Sequence, residues 1–441
     1  MDSKKVAQLK QRLVEYLEAQ VELGFFSGSV LIATGEKVIL KQGFGRANFE
    51  HDCPNLPRTK FRIASLTKQF TAVSILLLQE EGLLQVNDQL SKFLPNYPQG
   101  EQITLHHLLS NTSGIPNIIF IPEIMHTTRN YHSLDSLLSK IECQPLEFTP
   151  GERFSYSNSG YIILGKVIEI VSGQSYADFL QARIFKVLEM SETGFDRYQS
   201  ILKDRATGYT LNGDGLENAE FLDMSVMSAS AGLYSTIEDL YRWERALYDS
   251  NFLSSALQKM LFTAHVKMNG KAYGYGWYLE EEQLSHDGMV YGFRSKLLRF
   301  LKDRTVLIIL GNIDLISIDL IAQALTNILY NRVYQWPVLP EKIEVTQRHL
   351  ECYLGTYQNE GRVGNLCNLR FESGKVLLEY FRYAKQLVVE IFCSQITEIS
   401  ILLFAKALEL TVKLEMVEAK SESRITLGWN GEETRGLKKV E

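Results

Sequence analysis

The stretch from Phe70 to Leu84 constrains this chain most. Its apolar residues, Phe70, Val73, Ile75, Leu76, Leu77, Leu83 and Leu84, run round the whole circumference of a helix, a pattern that fits a helix buried on all sides. With 441 residues, 45% of them apolar, the chain can build such a core. Directly before the helix stands Ser65-Leu66-Thr67-Lys68, behind a short strand-like run, Phe61-Arg62-Ile63-Ala64. A Ser and a Lys three residues apart share one helix face, about one turn apart. A serine hydroxyl is a poor nucleophile until a neighbouring base takes its proton, and a lysine amine can be that base. At the start of a helix the hydroxyl also meets the positive end of the dipole, which favours a developing oxyanion. The competing reading of Ser65 is an ordinary N-terminal helix residue. A second Ser-x-x-Lys, Ser200 to Lys203, lies in a polar stretch and reads as surface.

Two further motifs follow in chain order. Tyr156-Ser157-Asn158 sits between a Pro150-Gly151 turn and a Ser-Gly loop, ahead of an apolar helix from Tyr161 to about Val171. In an extended loop a Tyr and an Asn two apart point the same way. The Tyr oxygen can then shuttle a proton while the Asn amide holds a substrate amide and the Lys. Tyr357-Gln358-Asn359 repeats the spacing and reads as loop and strand of another domain. The third motif is His286-Asp287-Gly288, followed by Met289, behind a Gly-aromatic strand signal from Tyr273 to Trp277. An edge strand here offers a backbone N–H as a second oxyanion donor, since glycine lets backbone approach a ligand closely. His286 would place a polar or cationic group beside the Tyr–Lys pair. Its competing reading is a strand-end histidine.

Three such signals in one order resemble the β-lactamase-related serine hydrolases, a group that includes class C β-lactamases, D-Ala carboxypeptidases, D-amino-acid peptidases, esterases and some acyltransferases. Ile103 to Pro116 and Ser228 to Thr236 resemble further family segments, and the likeness covers about residues 20 to 335. It implies an α/β fold with an antiparallel sheet flanked by helices plus an all-helical lobe. It implies Ser65 as nucleophile, Lys68 and Tyr156 as the proton-handling pair, and Asn158, His286, Gly288 and Met289 around the substrate. The third motif departs from the family's Lys-Thr-Gly: His286 replaces the Lys and Asp287 fills the middle position. That weakens a drug-hydrolysing reading and fits the esterase and peptidase branches. Adjacent His106 and His107 face different sides of a helix, and no metal or other cofactor is expected.

Composition narrows the rest. A net charge of −6 argues against nucleic acid as a partner. Five scattered Cys read as reduced, mostly buried thiols. The N-terminal segment is a polar amphipathic helix, Val6 to Leu23, rather than a secretory signal, and no run of 18 apolar residues appears. With Met1 as the natural start the expected location is the cytoplasm, with no membrane partner. Domains are expected at 1–335 (hydrolase), 336–345 (linker, with Pro337 and Pro340) and 346–441. In the last, Leu408, Leu410, Val412, Leu414 and Met416 alternate with polar residues, and turns are read at Gly374-Lys375 and Asn430-Gly431. This suggests a small all-β barrel, and Tyr353 to Tyr357 resembles the opening of the lipocalin-like domain some family members carry. The expected activity is a serine hydrolase working through acyl-Ser65 on small esters or D-residue peptides. The alternatives are a peptide cyclase or acyltransferase served by a carrier protein, and a non-turnover acyl sensor or interaction module.

Overall fold

The computed structural model of this chain describes residues 3–212, 215–268, 270–314, 316–338 and 343–358, and beyond them the strands between 366 and 439. Helix α1 (Ser3–Glu22) follows the N-terminal pattern, with Leu13 and Leu17 fully buried. Helix α2 (Thr67–Glu80) is the apolar run, buried at every position from Thr67 to Leu78. It stops short of the expected Leu84. Gly82 takes the left-handed conformation that commonly follows a helix end, so Leu83 and Leu84 lie beyond it, the first exposed and the second buried.

The chain forms two units: one of Met1–Val6, Ser27–Gly208 and Ala219–Asp314, the other of Ala7–Phe26, Tyr209–Asn218 and Leu315–Glu441. The first contains an eight-stranded antiparallel sheet. Its strands are β1 (Gly28–Thr34), β2 (Lys37–Phe44), β3 (Val266–Met268), β4 (Lys271–Tyr273), β5 (Tyr278–Leu279), β6 (Gln283–Val290), β7 (Phe293–Phe300) and β8 (Thr305–Gly311), in the order β3-β4-β5-β6-β7-β8-β1-β2. Strands distant in sequence meet one strand in from its β2 edge, where Val30 of β1 opposes Ile309 of β8. Both strands are buried almost throughout, which explains their unbroken apolar runs. β6 and β7 are joined through Tyr291 and Gly292, whose φ of +80° suits a two-residue hairpin turn. On β6, β5 pairs with Leu284 and Ser285 alone, so among the described residues β6 from His286 onward has no strand on that side.

Helices α3 (Asn158–Ser172), α4 (Tyr176–Leu180) and α5 (Ser228–Ala231) form the helical lobe, with α3 and α5 packed on α2. Gly165 permits the close α3–α5 crossing: a Cβ there would lie 2.5 Å from that of Ala229. Helix Ile237–Ala246 lies against β1 and β8, and its Trp243 stacks on Phe70 of α2 with centroids 4.1 Å apart. One apolar cluster joins helices and sheet.

The second unit holds α1, a short hairpin (Tyr209–Asn212 with Gly215–Asn218), helix Ile318–Leu329 and a nine-stranded antiparallel sheet between Gly355 and Lys439. Leu414, from the alternating stripe, is buried with Leu350, Leu369, Leu378 and Ile391. The Gly374-Lys375 turn falls between paired strands, with Ser373 and Gly374 both left-handed. Asn359, the Asn430-Gly431 turn and residues 339–342 of the expected linker lie outside the described residues.

The cysteine expectation needs correcting. All five stand outside disulfides, as expected, but Cys53, Cys143 and Cys352 are exposed and only Cys367 and Cys393 are buried. Their neighbours in sequence are turns and helix ends, which stay at the surface whatever the residue's own preference. No helix among the described residues is long and apolar enough to cross a membrane.

Candidate active site

Ser65 lies in a single 3₁₀ turn, Ala64–Leu66, that runs directly into α2. Ala64 has φ 47°, a left-handed backbone that costs a non-glycine residue about 1 kcal/mol or more. The strain is held by packing on β6. A Cβ at Gly288 would fall 3.0 Å from that of Ala64 and 2.5 Å from the Ile63 carbonyl oxygen, so only glycine allows this approach. Ser295 of β7 fixes the same carbonyl, donating to it at 2.7 Å. Gly276 performs a similar office on the other side, its absent Cβ 3.0 Å from the Lys68 carbonyl. The Tyr273–Trp277 signal is therefore not a strand. β4 ends at Tyr273, and the glycines carry a turn that packs on the α2 backbone.

The Tyr156 motif also differs from expectation. Asn158 is the first residue of α3 rather than part of an extended loop. Asn111 and Asn117 hold the approach to it. Asn111, left-handed at φ 57°, accepts from Ser157 N at 3.1 Å and from Ser155 N at 2.9 Å. Asn117 Nδ2 donates to the Tyr156 carbonyl at 3.2 Å. That bond fixes the Asn117 amide, because a carbonyl can only accept. Its Oδ1 then receives Asn158 Nδ2 at 3.2 Å, which turns Asn158 Oδ1 towards Lys68.

Lys68 is fully buried. Its Nζ donates to Asn158 Oδ1 at 2.6 Å and to the Ser230 carbonyl of α5 at 3.0 Å, and lies 3.3 Å from Ser65 Oγ. The rings of Tyr156 and Tyr161 flank it, with centroids at 4.6 and 5.4 Å. Burial holds its pKa well below that of a free lysine, opposed by the Asp287 carboxylate. A neutral amine has two N–H bonds and one lone pair. Asn158 Oδ1 and the Ser230 carbonyl accept the two N–H bonds, so the lone pair is left facing the Ser65 hydroxyl.

Tyr156 hydrogen-bonds Ser65, and burial with Tyr278 nearby pushes its hydroxyl well above the usual phenol range. It is a neutral phenol in the resting site. His286 is buried, its Nδ1 2.6 Å from the Asp287 carbonyl and its ring 6.2 Å from that of Tyr156. Burial lowers its pKa to about 4, with Asp287 opposing. Of the two readings of His286, polar or cationic, its lowered pKa favours the polar one, an uncharged imidazole at neutral pH, and burial rather than a neighbouring cation depresses Lys68. Asp287 stays ionised below the ordinary carboxylate range; burial opposes this, but Lys296 across the strand, His286 and Arg294 outweigh it. Met289 follows Gly288 on the stretch of β6 that pairs with β7 but not with β5.

The structure therefore brings Ser65, Lys68, Tyr156, Asn158 and His286 together and sets Gly288 against the nucleophile's turn. Sequence reasoning missed the roles of Asn111, Asn117 and Ser230. Asn117 is buried, and only the density of Asn, Ser and Thr around it could have signalled a polar network. The second Ser-x-x-Lys is surface, with Ile201 almost fully exposed, and Tyr357 belongs to the second unit. His107 caps its own short helix through Thr104, whereas His106 bonds Tyr275 at 2.7 Å.

Comparison with known proteins agrees with this geometry. The model of the beta-lactamase family matches residues 8–319. The chain is 30% identical to penicillin-binding protein 4* of Bacillus subtilis, over 94% of this chain and 96% of that one. Among solved structures it matches the octameric penicillin-binding protein homologue of Pyrococcus abyssi at 25% identity and TM-score 0.64, each chain covered in full. It shares its fold with the D-amino acid amidase of Ochrobactrum anthropi at 22% identity and TM-score 0.67, over 74% of this chain and 99% of that one. On the family match and the near full-length relative, this chain belongs to the beta-lactamase family of serine hydrolases.

Proposed function

We propose that the protein hydrolyses small esters or D-residue-containing peptides through an acyl-Ser65 intermediate. The observation that carries this is the buried Lys68 amine, which donates to Asn158 Oδ1 and the Ser230 carbonyl and lies 3.3 Å from Ser65 Oγ, so that in its neutral form the lone pair is the part left for the Ser65 proton. Lys68 takes the Ser65 proton as Oγ attacks the substrate carbonyl. The Ser65 and Met289 N–H groups hold the oxyanion, each worth about 3 kcal/mol in such sites. Tyr156, a neutral acid bonded to Ser65, hands a proton to the leaving group and is refilled from Lys68. Asn158 orients the acyl amide. Water then enters along the same path in reverse. The substrate class draws support from the relatives, one of them a D-amino acid amidase, and from Asp287, which disfavours a carboxylate beside β6.

Intact mass after treatment with a serine-reactive phosphonate, and turnover of a p-nitrophenyl ester, test this. Wild type takes one adduct and turns over. Ser65→Ala takes none and loses at least about a thousandfold in rate. Lys68→Arg falls nearly as far, because a guanidinium cannot give up its proton. Near-normal turnover in Lys68→Arg sinks the assignment, and an ester adduct that persists without turnover points to an amine acceptor or a sensor.

A further inference from the structure

His106 and His107, adjacent in sequence and unclaimed by the chemistry at Ser65, part company in the fold. His107 closes the cap of the short helix Leu105–Leu109, its Nδ1 accepting from Thr104 N at 3.3 Å. His106 turns to Tyr275, its Nδ1 sharing a 2.7 Å hydrogen bond with that buried phenol. His265 stacks on the Tyr275 ring, 4.0 Å away and 13° from parallel, and stands 5.1 Å from His106. Tyr275 lies in the turn Gly274–Trp277, where Gly276 packs on the α2 backbone without room for a side chain. A Cβ there would fall 3.0 Å from the Lys68 carbonyl and 3.1 Å from Gln69 Cα. A second path joins the same parts to the same lysine. The fully buried Tyr161, whose ring flanks the Lys68 amine at 5.4 Å, donates its hydroxyl to the Leu109 carbonyl at 2.8 Å and lies beside the Gly276 backbone. Leu109 ends the helix that carries His106. Helix, turn and Tyr161 thus enclose one side of Lys68, and the His106–Tyr275 bond ties the helix to the turn.

We propose that His106 is a positioning residue of the reaction: through Tyr275 it holds the Gly274–Trp277 turn and Tyr161 against Lys68 and keeps water from the amine. This rests on the reading of Lys68 as the base. Burial is the first cause of the low Lys68 pKa, so a turn that loosens admits water and returns the amine towards ordinary basicity. Burial also depresses His106, His107 and His265, which are uncharged near neutral pH, and raises the Tyr275 phenol. Breaking the bond therefore changes no charge. The titratable groups that face Lys68, namely Tyr156, Tyr161, His286 and Asp287, are untouched by the substitution. A moved Lys68 titration then reports packing.

The pH dependence of kcat/KM for a neutral ester, measured on the full-length protein, tests the proposal. Tyr275→Phe removes the hydroxyl and keeps the ring on His265, and His106→Leu removes the other partner. In both, the acid limb should move to higher pH by about half a unit or more. Their kcat should fall about tenfold with KM little changed, as when a reacting group is displaced. His106→Asn should restore both, because its amide stands as many bonds from Cα as the imidazole Nδ1. A limb that stays in place in Tyr275→Phe overturns the proposal even where the melting temperature falls, since a merely structural bond gives that result. So does His106→Asn behaving as His106→Leu. Should His106→Leu fail to fold, as thermal melting would reveal, Tyr275→Phe decides. Equal turnover by wild type and Lys68→Arg, or none by wild type, strikes down the reading of Lys68 and this inference with it. An unmoved limb beside an inactive Lys68→Arg strikes down this inference alone.

Discussion

Three titratable groups set the chemistry of the site at the scale of single residues: Lys68, its pKa pushed well down by burial, Tyr156, its pKa pushed well up by burial, and Asp287, held low by Lys296, His286 and Arg294 against burial. Asp287 opposes the effect of burial on Lys68. Asp287→Asn removes that opposition, so the Lys68 pKa falls further and the amine is free at lower pH. The acid limb of the kcat/KM profile should therefore move to lower pH, read with a neutral ester. A limb that stays in place or moves up would show that Asp287 does not act on Lys68. Tyr156 adds no alkaline limb below about pH 10, since its pKa is raised above the model phenol value. Ser65, Lys68 and Tyr156 were legible in sequence because their spacing is local. The charge state of His286 was not, since it depends on burial by β-strand neighbours that no local pattern announces.

Glycine at two contact points, more than helix or strand propensity, aligns the elements. Gly288→Ala would put a methyl 2.4 Å from Ser295 Oγ and 2.5 Å from the Ile63 carbonyl, two residues ahead of the nucleophile. β6 must then retreat from the 3₁₀ turn and carry Met289 with it. Displacing a donor by about 1 Å costs about a hundredfold in rate. Ester kcat/KM should therefore fall by about that factor while the melting temperature drops only a few degrees, and equal retention of both would show that β6 yields without moving its donor. The helices were readable because their apolar patterns are long. The turn at Gly274–Trp277 was misread as strand because aromatic residues beside glycine look alike in a strand and in a turn that packs on a helix.

Over the whole molecule, histidines tie stability to pH. His106 and His286 both have pKa values lowered from 6.5 to about 4, by burial first; His265 and His107 add to this for His106, while Asp287 opposes it for His286. Between those values the unfolded chain binds more protons than the folded one, so stability is full above about pH 6.5 and falls as pH drops towards 4. Each imidazole contributes at most about 1.4 kcal/mol per pH unit, less for His106, which is partly exposed. The melting temperature should decline from pH 7 to pH 5, and His106→Gln should flatten that slope. An unchanged slope would place the acid sensitivity elsewhere. The antiparallel strands described between Gly355 and Lys439 were foreshadowed by period-two alternation. What no composition shift revealed is that the second unit gathers Ala7–Phe26 and Tyr209–Asn218 to the stretch from Leu315 onward. That interleaving has a consequence for synthesis. The α1 segment leaves the ribosome about 180 residues before the Tyr209–Asn218 hairpin and nearly 300 before the stretch from Leu315 that complete its unit, so the buried stripe of Leu9, Leu13 and Leu17 waits through that span of translation for the rest of its unit.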